Sequence, residues 1–265
     1  MVRRPLGNHH DGPDTLLVTS DTTQTELANE NNSVIDRLRE PVGRARVVLW
    51  DFDGPVCRLF AGRSAKLVAV ELVEWLEGQG LHGLLTDEER TSLDPQVLLR
   101  AVNRRHPKSD LADELERRLT QEELRAAPLA MPTPYADPLI RTWTALGARL
   151  AVTTNNSPLV AREYLASRGL TSCFAPHVYG RTPELSRLKP DPHCLNRALN
   201  AMGAAPVSAL MIGDAPSDFQ AARQAGVPFL GYARNEGKEK LLRDAGAETI
   251  VGSLEPVLKL LRGQA

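Results

Sequence analysis

The chain has 265 residues, 42% of them hydrophobic and 25% charged, enough apolar material for a core without disulfide or metal staples. Its 32 Lys and Arg against 33 Asp and Glu leave a net charge of −1, which gives no field to gather polyanions and argues against nucleic acid. Cys57, Cys173 and Cys194 stand far apart, which argues against a disulfide framework and for a reducing cytoplasm. No apolar run nears the roughly 18 residues of a membrane span, and Leu16–Val18 is too short for a secretory signal core.

In chain order, residues 1–43 read as a mobile tail. Thr19 to Ser33 is nearly all polar and cannot bury enough surface to offset its ordering entropy. One amphipathic turn is expected over 33–38, and Pro41 and Gly43 punctuate the start of the body. Arg46 to Trp50 is a continuous apolar run ending at Asp51, as expected of a strand buried on both faces of a parallel sheet. From 59 to 135 the period changes. Val68, Leu72, Trp75 and Leu76 lie at helical spacing, followed by Val97 to Val102 and by Leu111, Leu115 and Leu119. Pro128, Pro132, Pro134 and Pro138 close this block as a stiff, extended connector. Strand-like runs return at 150–153 and 209–212, with weaker ones at 228–230 and 249–251; helical patterns at 159–168 and 219–225 separate them. The pattern predicts an α/β fold, a three-layer parallel-sheet core over 44–58 and 136–265 with an all-helical insert at 59–135.

Open parallel sheets bind ligands at the carboxyl edge of their strands, so the residues just after each run come first. Asp51-Phe52-Asp53-Gly54 follows the first. Its two carboxylates suit a nucleophile or metal ligand beside a proton donor, although an isolated D-x-D-G is equally compatible with a solvated turn. Thr153-Thr154-Asn155-Asn156-Ser157 ends the second run with hydroxyl and amide donors, any of which can also cap the helix opening at Pro158. Gly213-Asp214 and Asp218 place acids after the third run, hard oxygen ligands of the kind Mg²⁺ takes. Lys189 precedes Pro190, which favours an extended backbone there.

Taken together and in this order, the four segments resemble the motifs of the haloacid dehalogenase (HAD) superfamily, in its phosphatase branch with a helical C1 cap, of phosphoglycolate phosphatase type. The likeness covers about residues 44–253. It implies a Rossmann-like core, an inserted cap that closes over the substrate, and Mg²⁺-dependent hydrolysis of a small phosphomonoester. By that resemblance Asp51 is the nucleophile that forms an aspartyl-phosphate and Asp53 the general acid and base. Thr154, Asn155 and Lys189 bind the phosphoryl group. Asp51, the Asp53 carbonyl, Asp214 and Asp218 hold the metal. The implied partner is a small phosphorylated metabolite, with no nucleic acid, no membrane and no assigned oligomeric state. One residue departs from the pattern: Pro55 stands where the family usually has Thr, removing a hydroxyl and an N–H from the turn.

Two other functions remain open: a phosphotransferase or phosphomutase acting on a sugar phosphate with the same core, and a receiver-like or catalytically silent phospho-acceptor. The second acid at Asp53 and the large insert count against a receiver. Arg58 and Arg63, just past the first motif, are either surface arginines or contacts to a second anionic group. Gly78-x-Gly80-x-x-Gly83 follows a helical pattern, so it reads as a helix stop rather than a dinucleotide loop. His9, His10, His177 and His193 read as structural or surface residues, and Cys57 as a small packed side chain.

Overall fold

Residues 36–264 are described by a computed structural model of the chain. The expected tail ends earlier than residue 43. A helix, α1, occupies 36–44 and buries Leu38 and Val42, four residues apart on one face, in the main core. The rest of the expected tail, and residues 33–35 of the expected turn, lie outside the described residues.

After α1 come β1 (Val47–Trp50) and the short β2 (Cys57–Arg58), then helices α2 (Ala65–Gly78), α3 (Asp87–Arg90), α4 (Pro95–Arg105) and α5 (Asp110–Ala126). The chain returns through β3 (Met131–Pro132) and α6 (Ala136–Ala145) to β4 (Arg149–Thr153), α7 (Pro158–Ser167), α8 (Thr171–Phe174) and β5 (Val178–Tyr179). It continues with α9 (His193–Ala201), β6 (Ala209–Gly213), α10 (Pro216–Ala225) and β7 (Phe229–Tyr232). It ends with α11 (Glu236–Asp244), β8 (Ile250–Val251) and α12 (Glu255–Leu261).

Six parallel strands form one sheet in the order β5-β4-β1-β6-β7-β8. Successive side chains of a strand point to opposite faces, and here they enter two different cores. Val48, Trp50, Leu150, Val152, Leu210 and Ile212 pack on one face of the sheet. Val47, Leu49, Ala151, Ala209 and Met211 pack on the other. Continuous apolar runs are the sequence trace of this double burial. Trp50 meets Trp143 of α6 edge to face, with ring centroids 5.8 Å apart, which fixes α6 against the central strand.

The insert has its own apolar cluster, built from Val68, Leu72 and Leu76 of α2, Leu98, Leu99 and Val102 of α4, and Leu115 and Leu119 of α5. Its helices start on local signals. Asp94 accepts from the Gln96 N–H with Pro95 in the first turn of α4, and Ser109 accepts from the Ala112 N–H at α5. The proline-rich return is not uniformly extended. Ala127–Leu129 is a 3-10 turn, Pro132 pairs with Cys57 in the β2–β3 ladder, and Pro138 sits inside α6. Proline fits the first turn of a helix, whose N–H groups have no partner in any case, so a proline series does not enforce extension.

Candidate active site

Asp51 is the first residue past β1, and its N–H donates to the Ile212 carbonyl of β6 at 2.8 Å. The side chain therefore stands at the carboxyl edge of the sheet, where the loops after β1, β4 and β6 converge. Gly54 follows at φ +143°, and a Cβ there would lie 2.4 Å from the Asp214 carboxyl carbon. Only glycine satisfies both the dihedral and the contact, so this position lets Asp214 close on the first loop. Pro55 leaves the turn intact. The Gly54 N–H donates to the Cys57 carbonyl, the Cys57 N–H to the Phe52 carbonyl, and the Thr133 hydroxyl donates to the Gly54 carbonyl from the return linker.

Lys189 is the centre of the charge arrangement. Its fully buried ammonium donates to Asp51 Oδ1 at 2.7 Å, to the Thr153 carbonyl at 2.9 Å and to Asp218 Oδ1 at 2.6 Å. Those are all three of its donors. Burial alone would pull its pKa down, but the Asp218 and Asp51 charges together outweigh that and hold it up. Asp51 is pushed up to about 8 by burial and by the Asp218 charge, against the pull of Lys189. Asp53, half-buried with Oδ1 accepting the Leu59 N–H at 2.8 Å, is pushed up to about 7, mainly by burial. Asp214 is also raised by burial, with Lys238 at 2.8 Å opposing.

The loop after β4 has a different character. Thr154 is buried, and its hydroxyl donates to Asn156 Oδ1 at 3.0 Å and accepts from the Asn156 N–H at 3.1 Å, turned into its own loop. Asn155 clasps the Lys189 backbone, donating to its carbonyl at 3.1 Å and accepting from its N–H at 2.8 Å. Behind this loop, Glu123 of α5 accepts from the Asn156 amide and the Ser157 N–H, both at 3.0 Å. Arg181, just past β5, forks onto both Glu123 oxygens at 2.9 and 3.0 Å and donates also to Glu116, Thr120 and the Asn155 carbonyl. The insert is thus tied to the core loop by a buried ionic network.

A cavity of about 310 Å³ spans this edge. Asp51, Asp53, Asn155, Lys189, Asp214 and Asp218 all line it, while Thr154 does not. Residue-by-residue reading had missed four contributors: Arg100 of α4, which donates to the Lys189 carbonyl at 2.6 Å, and Glu123, Arg181 and Lys238. Their partners lie tens of residues away, and no local spacing marks them. Of the two arginines read after the first motif, Arg63 is engaged by Glu71 and Glu122, and Arg58 donates to Met131 Sδ.

Asp51, Asp214 and Asp218 present oxygens that all lie within 4.8 Å of one another, a set that can hold a metal ion. Among the described residues Asp51 Oδ2 and Asp214 Oδ1 have no protein donor, and three buried carboxylates this close together favour an added cation. Asp218 is more fully engaged: Oδ2 accepts the Asp214 and Ala215 N–H groups and Oδ1 takes Lys189. It supports the cluster more than it opens to it.

The parallel sheet places paired acids just past its central strand β1, the position where such sheets carry their ligand sites. The profile of haloacid dehalogenase-like hydrolases matches residues 45–226, more than half of the chain. The protein belongs to that family. The phosphoglycolate phosphatase of Rhodospirillum rubrum is 39% identical over 105 residues, 38% of this chain and 43% of its own length. The phosphoserine phosphatase of Thermus thermophilus is 37% identical over 125 residues, 47% of this chain and 49% of its own. This chain spans about half the length of the curated relatives it matches. Among solved structures, a predicted phosphatase from Clostridium acetobutylicum superposes with a TM-score of 0.61 at 18% identity, covering 82% of this chain and 98% of that one. That likeness speaks for the fold.

Among the described residues no helix is long and apolar enough to cross a membrane.

Proposed function

We propose that the protein is a Mg²⁺-dependent phosphatase that hydrolyses a small phosphomonoester through an aspartyl-phosphate on Asp51. The observation that carries this reading is the pairing of Asp51 and Asp53 in one cavity, with opposite tasks written into their surroundings. Lys189 fixes one oxygen of Asp51 and leaves Oδ2 without a protein donor, as a nucleophile requires. Among the described residues the Asp53 side chain accepts one hydrogen bond, from the Leu59 N–H, and its pKa is pushed up to about 7, where a carboxyl group can both deliver and recover a proton.

In the first half-reaction Asp51 Oδ2 attacks phosphorus while Asp53 protonates the departing alkoxide. In the second, Asp53 takes a proton from water, which attacks the same phosphorus and frees Asp51. Asp51, Asp214 and the Asp53 carbonyl would hold Mg²⁺, which offsets the repulsion between carboxylate and phosphoryl group. Asn155 acts by holding the Lys189 backbone in register, and Arg100 acts on the same segment from the insert. The phosphatases among the relatives support a small phosphorylated substrate.

Phosphate release from a panel of small monoesters, measured with Mg²⁺ and with excess EDTA, tests the proposal. Release that depends on added Mg²⁺ is expected. Undiminished release in EDTA would remove the metal from the account.

A further inference from the structure

The cavity at the sheet edge does not end at the catalytic acids. A second space of about 730 Å³ adjoins it, sharing Asp53, Phe60, Asp214 and Lys238 in its wall and lined also from β2, the start of α2 and the loop after β7. A two-carbon acid would leave most of that volume empty, since spaces of this size hold much larger ligands. The lining is strongly cationic. Arg58, Lys66 and Arg234 join Lys238 there, against Asp53 and Asp214 as the only carboxylates of the wall.

Their pairing state matters more than their number. Lys238 is engaged by Asp214. Arg58 stands on the β2–β3 ladder opposite Met131, and among the described residues its side chain hydrogen-bonds to that thioether at 3.2 Å, a weak acceptor. Among the described residues, Lys66 and Arg234 make no ion pair. Most charged side chains of this protein found a partner, Arg63 among them only five residues from Arg58. Among the described residues, three cations with no carboxylate partner thus surround one space adjoining the reaction centre.

We propose that this chamber binds a second phosphate group, so that the substrate is an organic bisphosphate. The inference rests on the reading of Asp51 and Asp53 as the phosphoryl-handling end of the cleft. Two guanidinium forks and an ammonium match a dianion with three equivalent oxygens better than a single carboxylate. Arg58 at the end of β2, Lys66 in the first turn of α2 and Arg234 in the loop after β7 line this space together with Asp53, so the far phosphate would be held while the near one reacts.

The test is calorimetric titration of the full-length Asp51→Asn chain with Mg²⁺, using fructose 1,6-bisphosphate, fructose 6-phosphate and 3-phosphoglycerate as probes. The bisphosphate should bind at least about tenfold more tightly than the monophosphate, as expected for several charge-assisted hydrogen bonds to one group. Adding Arg58→Ala and Arg234→Ala should reduce that preference to less than about twofold, and Lys66→Ala alone should reduce it by about threefold. These side chains are exposed, and an unchanged melting temperature would exclude loss of fold. Equal binding of the two sugars, no bisphosphate binding at millimolar concentration, or a preference that survives the alanines would overturn the proposal. Phosphoglycerate binding as tightly as the bisphosphate would overturn the assignment to phosphate. Turnover of p-nitrophenyl phosphate by the unmodified chain reports separately on the phosphatase reading, which can fail while the binding preference stands, or stand while the preference fails.

Discussion

Two buried ionic clusters lie on either side of the loop after β4, and they are built to opposite rules. Around Arg181 every valence is used: five guanidinium N–H groups meet Glu116, Thr120, Asn155 and Glu123, and both Glu123 oxygens each accept from two donors. Around Lys189 the ammonium is saturated, but Asp51 Oδ2 and Asp214 Oδ1 are left over and the carboxyl groups of Asp51 and Asp214 are held above their ordinary range. A completed network fastens; leftover valence and perturbed acidity leave room for a ligand. Asn155 belongs to both, clasping Lys189 with its side chain and Arg181 with its carbonyl.

If the contrast is right, substitutions in the two clusters should separate activity from stability. The largest effect is expected for Asp51→Asn, which should lower phosphate release by at least about 10⁴-fold with every substrate, because an amide cannot accept the phosphoryl group. Its urea midpoint should not fall, since the change removes one of three mutually repelling carboxylates.

Next in size is Arg181→Met. Removing the cation leaves Glu123 buried and unpaired, which costs about 3–5 kcal/mol in denaturant unfolding. Replacing both partners, in Arg181→Met with Glu123→Leu, should recover much of that loss. Failure of the double variant to recover would mean that the Asn156 and Ser157 contacts to Glu123, not the ion pair, hold the insert.

The smallest effect sharpens the Lys189 side. Asp51 and Asp53 have folded-state pKa values of about 8 and about 7, against 3.8 for the free side chain. An acid with a raised pKa binds more protons folded than unfolded, so its contribution to stability is fully present below about pH 4 and is lost as the pH rises through 7 to 8. In EDTA, the stability of the unmodified chain should therefore fall relative to Asp51→Asn between pH 5 and 8, read from melting temperatures. A parallel pair of profiles would show that Asp51 is not held above its ordinary range.

Much of this was legible in the sequence, and the boundary is physical. The central strands were readable because burial on both faces demands unbroken apolar runs, and the acids because they directly follow those runs. β5 was invisible: two residues, Val178 and Tyr179, carry no period. Glu123 reads as one more polar residue on an amphipathic helix until Arg181, 58 positions later, folds against it. Thr154, expected to bind the phosphoryl group, has its hydroxyl engaged by Asn156 of its own loop, a contact no local spacing in the sequence marks. Leu38 lies at the end of the amphipathic turn expected over 33–38, while Val42, past Pro41, falls in the expected tail, and their four-residue spacing places both on one packed face of the helix.

The central claim is that Asp51 and Asp53 do different things in one cavity, and rapid-quench kinetics of Asp53→Ala tests it most directly. With an alkyl phosphate the leaving alkoxide needs a proton, so phosphorylation of Asp51 should slow by about 10²–10⁴-fold. With p-nitrophenyl phosphate the leaving phenolate needs little help, so the variant should release a burst of p-nitrophenol and then stall as an acid-stable, hydroxylamine-labile phosphoenzyme. Equal slowing of the phosphorylation step with both substrates, and no trapped phosphoenzyme, would contradict the assignment of Asp53 as the acid and base.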